Sequence, residues 1–281
     1  MRPPAVAGTF YPADAPSLIR EIEASFSHRL GPGMPGPEGD SRLISAAVCP
    51  HAGYMASGMN AAHAYRRILE DGLPDAYVIV GPDHRGVPYD AVMCGEGYRT
   101  PLGACEAHEG ISRRLSRLVP DDPRAHAREH SIEVQVPFIQ YIDPDPRIVT
   151  VVMRDQSLGA AMRLAAALRE ACEGEDVVMI ASSDMAHYIP KREAARLNAL
   201  VLDRLAAADA EGMYREIRDN RVSVCGYGPM AAALMFSGAA GAEVLAYSDS
   251  WDSLGGDPGA VVGYGSAVMR GARRRGPLRC A

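Results

Sequence analysis

This chain of 281 residues lacks several features that mark common protein classes. Its single lysine, Lys191, follows Pro190 and not a glycine-rich turn, so a phosphate-binding P-loop is excluded. Its six cysteines form no CxxC pair, which argues against a zinc ribbon or a thioredoxin motif. A disulfide framework is equally unexpected in a domain of this size.

Long apolar runs and surplus positive charge are also missing. No stretch approaches the roughly 20 apolar residues that a membrane-spanning helix needs, and residues 1–16 contain no apolar core of signal-peptide length. We therefore expect a cytoplasmic protein without a membrane partner. The formal net charge of -6 gives no electrostatic footprint for nucleic acid, which leaves small molecules or proteins as the expected partners.

The apolar segments that are present alternate between two kinds along the whole chain. Short, continuous, β-branched runs predict buried strands, and longer amphipathic or Ala/Leu-rich runs predict helices. Strands are predicted at 43–49, 76–80, 91–94, 148–153, 177–181, 243–247 and 260–269, and helices at 17–26, 58–71, 110–118, 158–172, 192–208, 210–219 and 229–237.

This alternation predicts an α/β fold, with a mainly parallel or mixed central sheet flanked by helices on both faces. The even spread of apolar runs favours a single domain over residues 1–281, in which residues 270–281 form a basic C-terminal tail. In open α/β sheets, ligands bind beyond the carboxyl ends of the strands.

Four apolar runs end in a tight polar turn that carries a histidine or a cysteine. The turns span residues 50–54, 81–84, 182–187 and 224–228, and they hold His51, His84, His187 and Cys225. Because turns distant in sequence can converge at one sheet edge, the pattern predicts a metal site. Each histidine alone is equally compatible with a structural hydrogen-bonding role.

Two aspartates in these turns are placed to orient an imidazole. Asp83 precedes His84 directly. Asp184 lies three residues before His187, so the two share a face if a helix begins there, and His187 is a candidate acid/base group with Asp184 as its partner. The alternative is that Asp184 or a neighbouring serine caps that helix.

Cys225 lies near the start of the predicted helix at 229–237, whose dipole would favour the thiolate. A small buried hydrophobic residue is the alternative reading of this cysteine. A rival for the segment is a dinucleotide-binding turn, since Gly226, Gly228 and Ala231 give a GxGxxA spacing and Asp249 follows about 20 residues later.

Two imidazoles and one anionic ligand with open positions suit non-haem iron and oxygen chemistry, and a thiolate also suits copper or zinc. Residues 129–133 concentrate further acid and base groups, with His130 and Glu133 as pocket candidates. A solvated helix start explains this second cluster equally well.

The ordered segments together resemble the Memo family, whose prokaryotic members are named AmmeMemoRadiSam system protein B. The resemblance rests on residues 2–12, 50–54, 81–84, 98–103, 129–133, 182–187 and 225–226. It implies a fold similar to class III extradiol dioxygenases, with His51 and His84 as iron ligands, Cys225 at the third ligand position and His187 at the acid/base position.

The cysteine replaces the glutamate ligand of those dioxygenases, so the resemblance implies redox chemistry on a small organic substrate without specifying ring cleavage. Iron as Fe²⁺ is the expected metal, with copper or zinc as alternatives. The prokaryotic family name implies radical-SAM and AMMECR-type proteins as partners. Two other functions stay open, namely a non-catalytic peptide- or protein-binding module and a metal-dependent hydrolase.

Overall fold

A computed structural model describes residues 1–271 of the chain, in which eleven helices and ten strands alternate. Of the expected basic tail, all residues beyond Gly271 lie outside this described part. The helices are α1 (Ala15–Ser27), α2 (Tyr54–Asp71), α3 (Glu109–Leu115), α4 (Pro123–His126), α5 (His130–Glu133), α6 (Val136–Ile142), α7 (Leu158–Ala171), α8 (Lys191–Ala206), α9 (Ala210–Asp219), α10 (Tyr227–Ser237) and α11 (Ser250–Leu254). The strands are β1 (Ile44–Cys49), β2 (Ala76–Pro82), β3 (Ala91–Cys94), β4 (Tyr98–Thr100), β5 (Gly103–Ala107), β6 (Arg147–Met153), β7 (Val177–Ser182), β8 (His187–Ile189), β9 (Ala242–Asp249) and β10 (Val261–Arg270).

The ten strands form one mixed sheet with a parallel centre. Strands β5, β6, β2, β7 and β1 lie side by side and pair in parallel. Antiparallel strands extend this centre, because β4 pairs with β5, β3 with β6, and β10 with β1, β8 and β9. The mixed α/β sheet expected from the sequence is confirmed.

Helices cover both faces of the sheet, as the continuous apolar strands require. In β2, Val78 and Val80 point to the face that packs against α7 and α10, and Tyr77 and Ile79 point to the face covered by α1, α2 and α6. All four side chains are fully buried. Burial on both faces explains why this strand is apolar throughout.

Helix α2 begins four residues earlier than predicted, and the reason concerns Gly58. The predicted range starts at Gly58, but this glycine lies inside the helix where α2 crosses α1. A side chain at this position would collide with Ser25 of α1. The helix therefore begins at Tyr54, directly after the turn that carries His51.

Several short elements escape the sequence prediction. Strands β4, β5 and β8 have three to five residues each, and α6 carries a proline in its first turn. Elements this short show too few periods to be read from alternation. Conversely, the pattern of the fourth turn predicts a strand before it. Residues 222–224 instead form irregular chain between α9 and α10.

Candidate metal centre

Three of the predicted site residues occupy equivalent positions at the carboxyl ends of adjacent strands. Strand β7 lies between β1 and β2, and His51, His84 and Asp184 are each the second residue after the end of their strand. Cys225 reaches the same place from the loop before α10. Ligand atoms of His51, His84 and Cys225 all lie within 4.8 Å of one another.

Cys225 makes the closest contact within this group. Its Sγ lies 3.1 Å from Nε2 of His51 and accepts the backbone N–H of Asp184 at 3.1 Å. Burial, reinforced by the carboxylate of Asp184, raises the pKa of the thiol. The expected lowering by the dipole of α10 is therefore not seen, and a bound cation would have to displace the thiol proton.

His51 is held by a buried serine. Its Nδ1 lies 2.9 Å from Oγ of Ser182, a hydroxyl that donates to the carbonyl of Ser131 at 2.6 Å. Burial, together with the neighbouring rings of His130 and His84, lowers the pKa of His51 well below its ordinary value. The ring is therefore neutral at neutral pH, which is the form that binds metals.

His84 is held by a glutamate and not by the adjacent Asp83. Oε1 of Glu129 accepts from Nδ1 of His84 at 2.9 Å, and Oε2 accepts the backbone N–H of the same residue at 2.8 Å. Burial alone would raise the pKa of Glu129, but the hydrogen bonds from the ring of His84 and from the backbone N–H groups of Ser131 and His84 outweigh it and lower that pKa to about 2. Asp83 instead accepts the backbone N–H groups of Arg85, Gly86 and Val87.

Asp184 and His187 do not form the expected pair. His187 begins strand β8 and not a helix, and its Nδ1 lies 2.8 Å from the carbonyl oxygen of Ser223. Asp184 instead accepts the backbone N–H of His51 at 2.7 Å, and its Oδ2 lies 4.0 Å from Nε2 of His51. Burial raises the pKa of Asp184 to about 6. The residue that orients His187 is therefore Ser223.

Of the two further pocket candidates, only one lies next to the site. His130 lies beside the site, with its ring centroid 4.5 Å from that of His84 and 5.4 Å from that of His51. Its buried Nδ1 has no hydrogen-bond partner among residues 1–271, and burial lowers its pKa to about 4. Glu133 points away from the site, and there it accepts from Arg2 at 2.6 Å and from the hydroxyl of Tyr11 at 2.6 Å.

The rival dinucleotide-binding turn does not have the required context. No strand precedes Gly226, and Gly228 lies inside α10, where a side chain would press against Gln156 at 2.9 Å. Asp249 caps α11 by accepting the backbone N–H groups of Trp251 and Asp252. The glycines thus serve close packing and not phosphate binding.

Sequence reasoning missed the residues that hold the imidazoles, namely Glu129, Ser182 and Ser223. Within residues 129–133 the sequence points to His130 and Glu133 as pocket candidates and leaves a solvated helix start as the alternative; Glu129 does cap α5, by accepting the N–H of Ser131 at 2.9 Å. Its side chain, however, is only 1 % exposed, so it also serves the site. The available signal was the carboxylate beside His130 in a segment that also contains apolar Ile132.

Comparison with known proteins finds one family and several relatives that match almost the whole chain. The family described as Memo-like protein matches residues 2–268. A MEMO1 family protein of Methanothermobacter thermautotrophicus is 40 % identical over 275 residues, which cover 94 % of this chain and 98 % of the relative. One of Methanopyrus kandleri is 41 % identical, with 96 % and 99 % covered.

The fold also has a solved counterpart. The crystal structure of an uncharacterized protein from Escherichia coli K12 superposes with a TM-score of 0.52 at 14 % identity, covering 80 % of this chain and 99 % of that one. Among the described residues, no helix is both long and apolar enough to cross a bilayer. The sequence match, the strand-end histidines and the shared architecture agree, and this chain belongs to the Memo family.

Proposed function

We propose that this protein binds a divalent metal ion, iron before copper or zinc, through His51, His84 and Cys225 and uses it to oxidise a small organic substrate. One observation carries the proposal. Donor atoms from three segments far apart in sequence lie within 4.8 Å of one another at the carboxyl ends of the parallel central strands. This edge is where ligands bind in open α/β folds.

The chemistry of the donors fits such an ion. Two neutral imidazoles and one sulfur suit iron, copper and zinc, and three protein ligands leave positions open for substrate or oxygen. A bound ion would supply redox chemistry at these open positions. The thiolate is a softer donor than the glutamate of class III extradiol dioxygenases, so we do not propose ring cleavage in particular.

His187 is the candidate acid/base residue. Because Nδ1 is engaged with the carbonyl of Ser223, Nε2 is the nitrogen that remains to exchange a proton with a substrate. Asp184 contributes through His51 and Cys225, whose positions it fixes by its backbone and carboxylate contacts. Its role is therefore to hold the two ligands and not to orient His187.

We propose a mainly apolar cavity near the site as the position of the apolar part of an organic substrate; none of the proposed metal ligands lines it. It has a volume of about 440 Å³ and is lined by Gly53 and Tyr54, which follow the His51 turn, together with Phe10 and Met55. The ring of Phe10 also contacts that of His130, with 4.7 Å between centroids. The cavity is thus one aromatic ring away from the histidine cluster.

Metal analysis of protein purified without added metal tests the proposal. We expect close to one equivalent of iron in the wild type and a loss in His51→Ala/Cys225→Ser. The matched control is His63→Gln/Cys105→Ser, since His63 bonds to the carbonyl of Leu30 and Cys105 is buried elsewhere. Equal metal in wild type and site variant would contradict the proposed ligands.

Oxygen consumption across a panel of small aromatic and aliphatic substrates separates the possible activities. Turnover lost in His187→Ala, with metal retained, supports an oxidoreductase. Zinc in the purified protein with ester or amide hydrolysis would support a hydrolase instead. An association with radical-SAM and AMMECR-type proteins is also proposed, and co-purification from the native host tests it.

A further inference from the structure

We propose that Glu129 and Ser182 are positioning residues that fix His51 and His84 in the same tautomer, with the proton on Nδ1 and the lone pair of Nε2 directed to the metal position. The proposal extends to residues outside the predicted ligand set. Its metal-dependent part rests on the proposed function, and its tautomer part does not.

The tautomer of His51 follows from counting protons at Ser182. The serine hydroxyl has one proton, which it donates to the carbonyl oxygen of Ser131 at 2.6 Å. The amide nitrogen of Gln135 donates to the same hydroxyl at 2.9 Å, and it also donates to the carbonyl of Pro50, which fixes the orientation of the amide. Toward His51 the hydroxyl oxygen can only accept, so Nδ1 of His51 carries the proton.

The tautomer of His84 follows from the hydrogen bonds at Glu129. Oε1 of this carboxylate accepts the backbone N–H of Ser131 and, from the ring, the Nδ1–H of His84 across the 2.9 Å contact. The second carboxylate oxygen accepts the backbone N–H of His84 at 2.8 Å. Glu129 therefore accepts hydrogen bonds from both the ring and the backbone of His84. This restricts rotation of the ring, although 29 % of the His84 side chain is exposed.

The two partners differ in charge, which gives the imidazoles different donor strength. A carboxylate makes its histidine a stronger electron donor than a neutral hydroxyl does. With the thiolate of Cys225, Glu129 also balances the two positive charges of a divalent ion. We therefore expect Glu129 to affect how tightly a bound ion is held, and Ser182 to affect mainly the geometry of His51.

Nitrogen NMR of the metal-free protein tests the tautomers directly. Long-range ¹H–¹⁵N correlation spectra of histidine-labelled protein at pH 7.5 distinguish a protonated from an unprotonated ring nitrogen, and single His→Gln variants assign the eight histidines. We expect Nδ1–H and a bare Nε2 for both His51 and His84. Protonation at Nε2 of either ring would overturn the proposal, whether or not the protein binds metal.

Substitution of Glu129 tests its effect on the ion, with Co²⁺ as the probe. In Glu129→Gln the amide offers one acceptor oxygen in place of two, so its NH₂ group faces either Nδ1–H or the backbone N–H of His84 without accepting a hydrogen bond. Loss of such an outer partner typically weakens metal binding about 10- to 100-fold, and we expect a Kd increase in this range. A thiolate-to-cobalt absorption band that shifts on substitution reports the changed donor strength.

Glu133→Gln is the matched control, because Glu133 is an equally buried carboxylate at the other end of α5 that faces Arg2 and not an imidazole. We expect it to lower stability and leave both tautomers and the Kd for Co²⁺ in the folded protein unchanged. Equal weakening by both substitutions would show that α5 acts only structurally. If wild type binds no Co²⁺ while both tautomers are as expected, the proposed function fails and the positioning inference stands.

Discussion

Two buried carboxylates four residues apart, Glu129 and Glu133, define two regions of opposite character. On the Glu133 side, the carboxylate accepts from Arg2, from the backbone N–H groups of Ala5 and Val6, and from Tyr11, so that its acceptor capacity is filled. We call residues 1–11 with Glu133 the anchor. On the Glu129 side, the partner is an imidazole that keeps one nitrogen free.

The difference shows how stability and reactivity are distributed in this molecule. In the anchor, Glu133 accepts hydrogen bonds from Arg2, Tyr11 and the backbone, and Arg2 and Glu133 are 3 % and 0 % exposed. At the metal centre, His84 is partly exposed, and Nδ1 of His130 lies 3.5 Å from Oε1 of Glu129 without forming a hydrogen bond within residues 1–271. A polar group that is to bind a ligand must be left incompletely satisfied by the protein, at a cost in stability.

The anchor can be broken with Glu133→Ala, which we expect to have the largest effect on stability. Removal of one partner leaves the guanidinium of Arg2 buried without its counter-charge, which typically costs about 3–5 kcal/mol. Urea unfolding followed by circular dichroism measures the loss. The control is Glu96→Gln, an exposed carboxylate that pairs with the N-terminal amine at 2.6 Å and whose loss costs about 1 kcal/mol or less. A loss below this level in Glu133→Ala would contradict the role of the anchor.

The pH dependence of stability tests the same comparison at His126, which lies next to the anchor. Its ring is fully buried, it bonds to the hydroxyl of Tyr98 and the carbonyl of Val92, and burial lowers its pKa to about 4. Between pH 6.5 and about 4 the unfolded chain binds a proton at His126 that the folded chain does not bind. The contribution is therefore present above pH 6.5 and is lost progressively as the pH falls.

For His126 this loss amounts to about 3 kcal/mol at pH 4, at about 1.4 kcal/mol for each unit of pKa difference. The free energy of unfolding, measured at pH 7, 6, 5 and 4, should fall less steeply in His126→Gln than in the wild type. Parallel curves for the two proteins would show that folding does not lower the pKa of His126, and would contradict this prediction.

The smallest effect on stability is expected beside the metal centre, at Tyr188. This residue follows His187, is 75 % exposed and has a φ of 56°, a left-handed conformation that glycine adopts without strain. We expect Tyr188→Gly to raise the free energy of unfolding by about 1 kcal/mol. Thermal unfolding measures it, and Tyr89→Gly, at a residue with a hydrogen bond to Asp122, should show a decrease instead. A decrease in both variants would remove the argument for strain beside the site.

A feature of the structure could be predicted from the sequence when its physical cause lies within one short segment of the chain. Strands β1, β2, β6 and β7 were predictable because continuous apolar runs are imposed by burial on both faces. The convergence of His51 and His84 was predictable because both follow parallel strands. The position of Cys225 could not follow from a strand, since it lies in irregular chain whose path depends on how α9 and α10 pack.

The partners of the histidines were the least predictable part. Asp83 and Asp184 are adjacent to His84 and near His187 in sequence, yet Glu129 and Ser223 hold these rings. Both aspartates accept backbone N–H groups instead: Asp83 accepts those of its own turn, and Asp184 accepts that of His51 at the neighbouring strand end. The long-range partners depend on tertiary packing, which single-sequence patterns do not contain.

Anomalous diffraction at the iron edge, from crystals grown anaerobically with Fe²⁺, tests the central claim most directly. The account predicts one peak at about 2.0–2.3 Å from Nε2 of His51, Nε2 of His84 and Sγ of Cys225, and its loss in Cys225→Ser. A peak bound instead between His84, Glu129 and His130, whose ligand atoms also lie within 4.8 Å of one another, would contradict it. So would crystals with no ordered iron at either position.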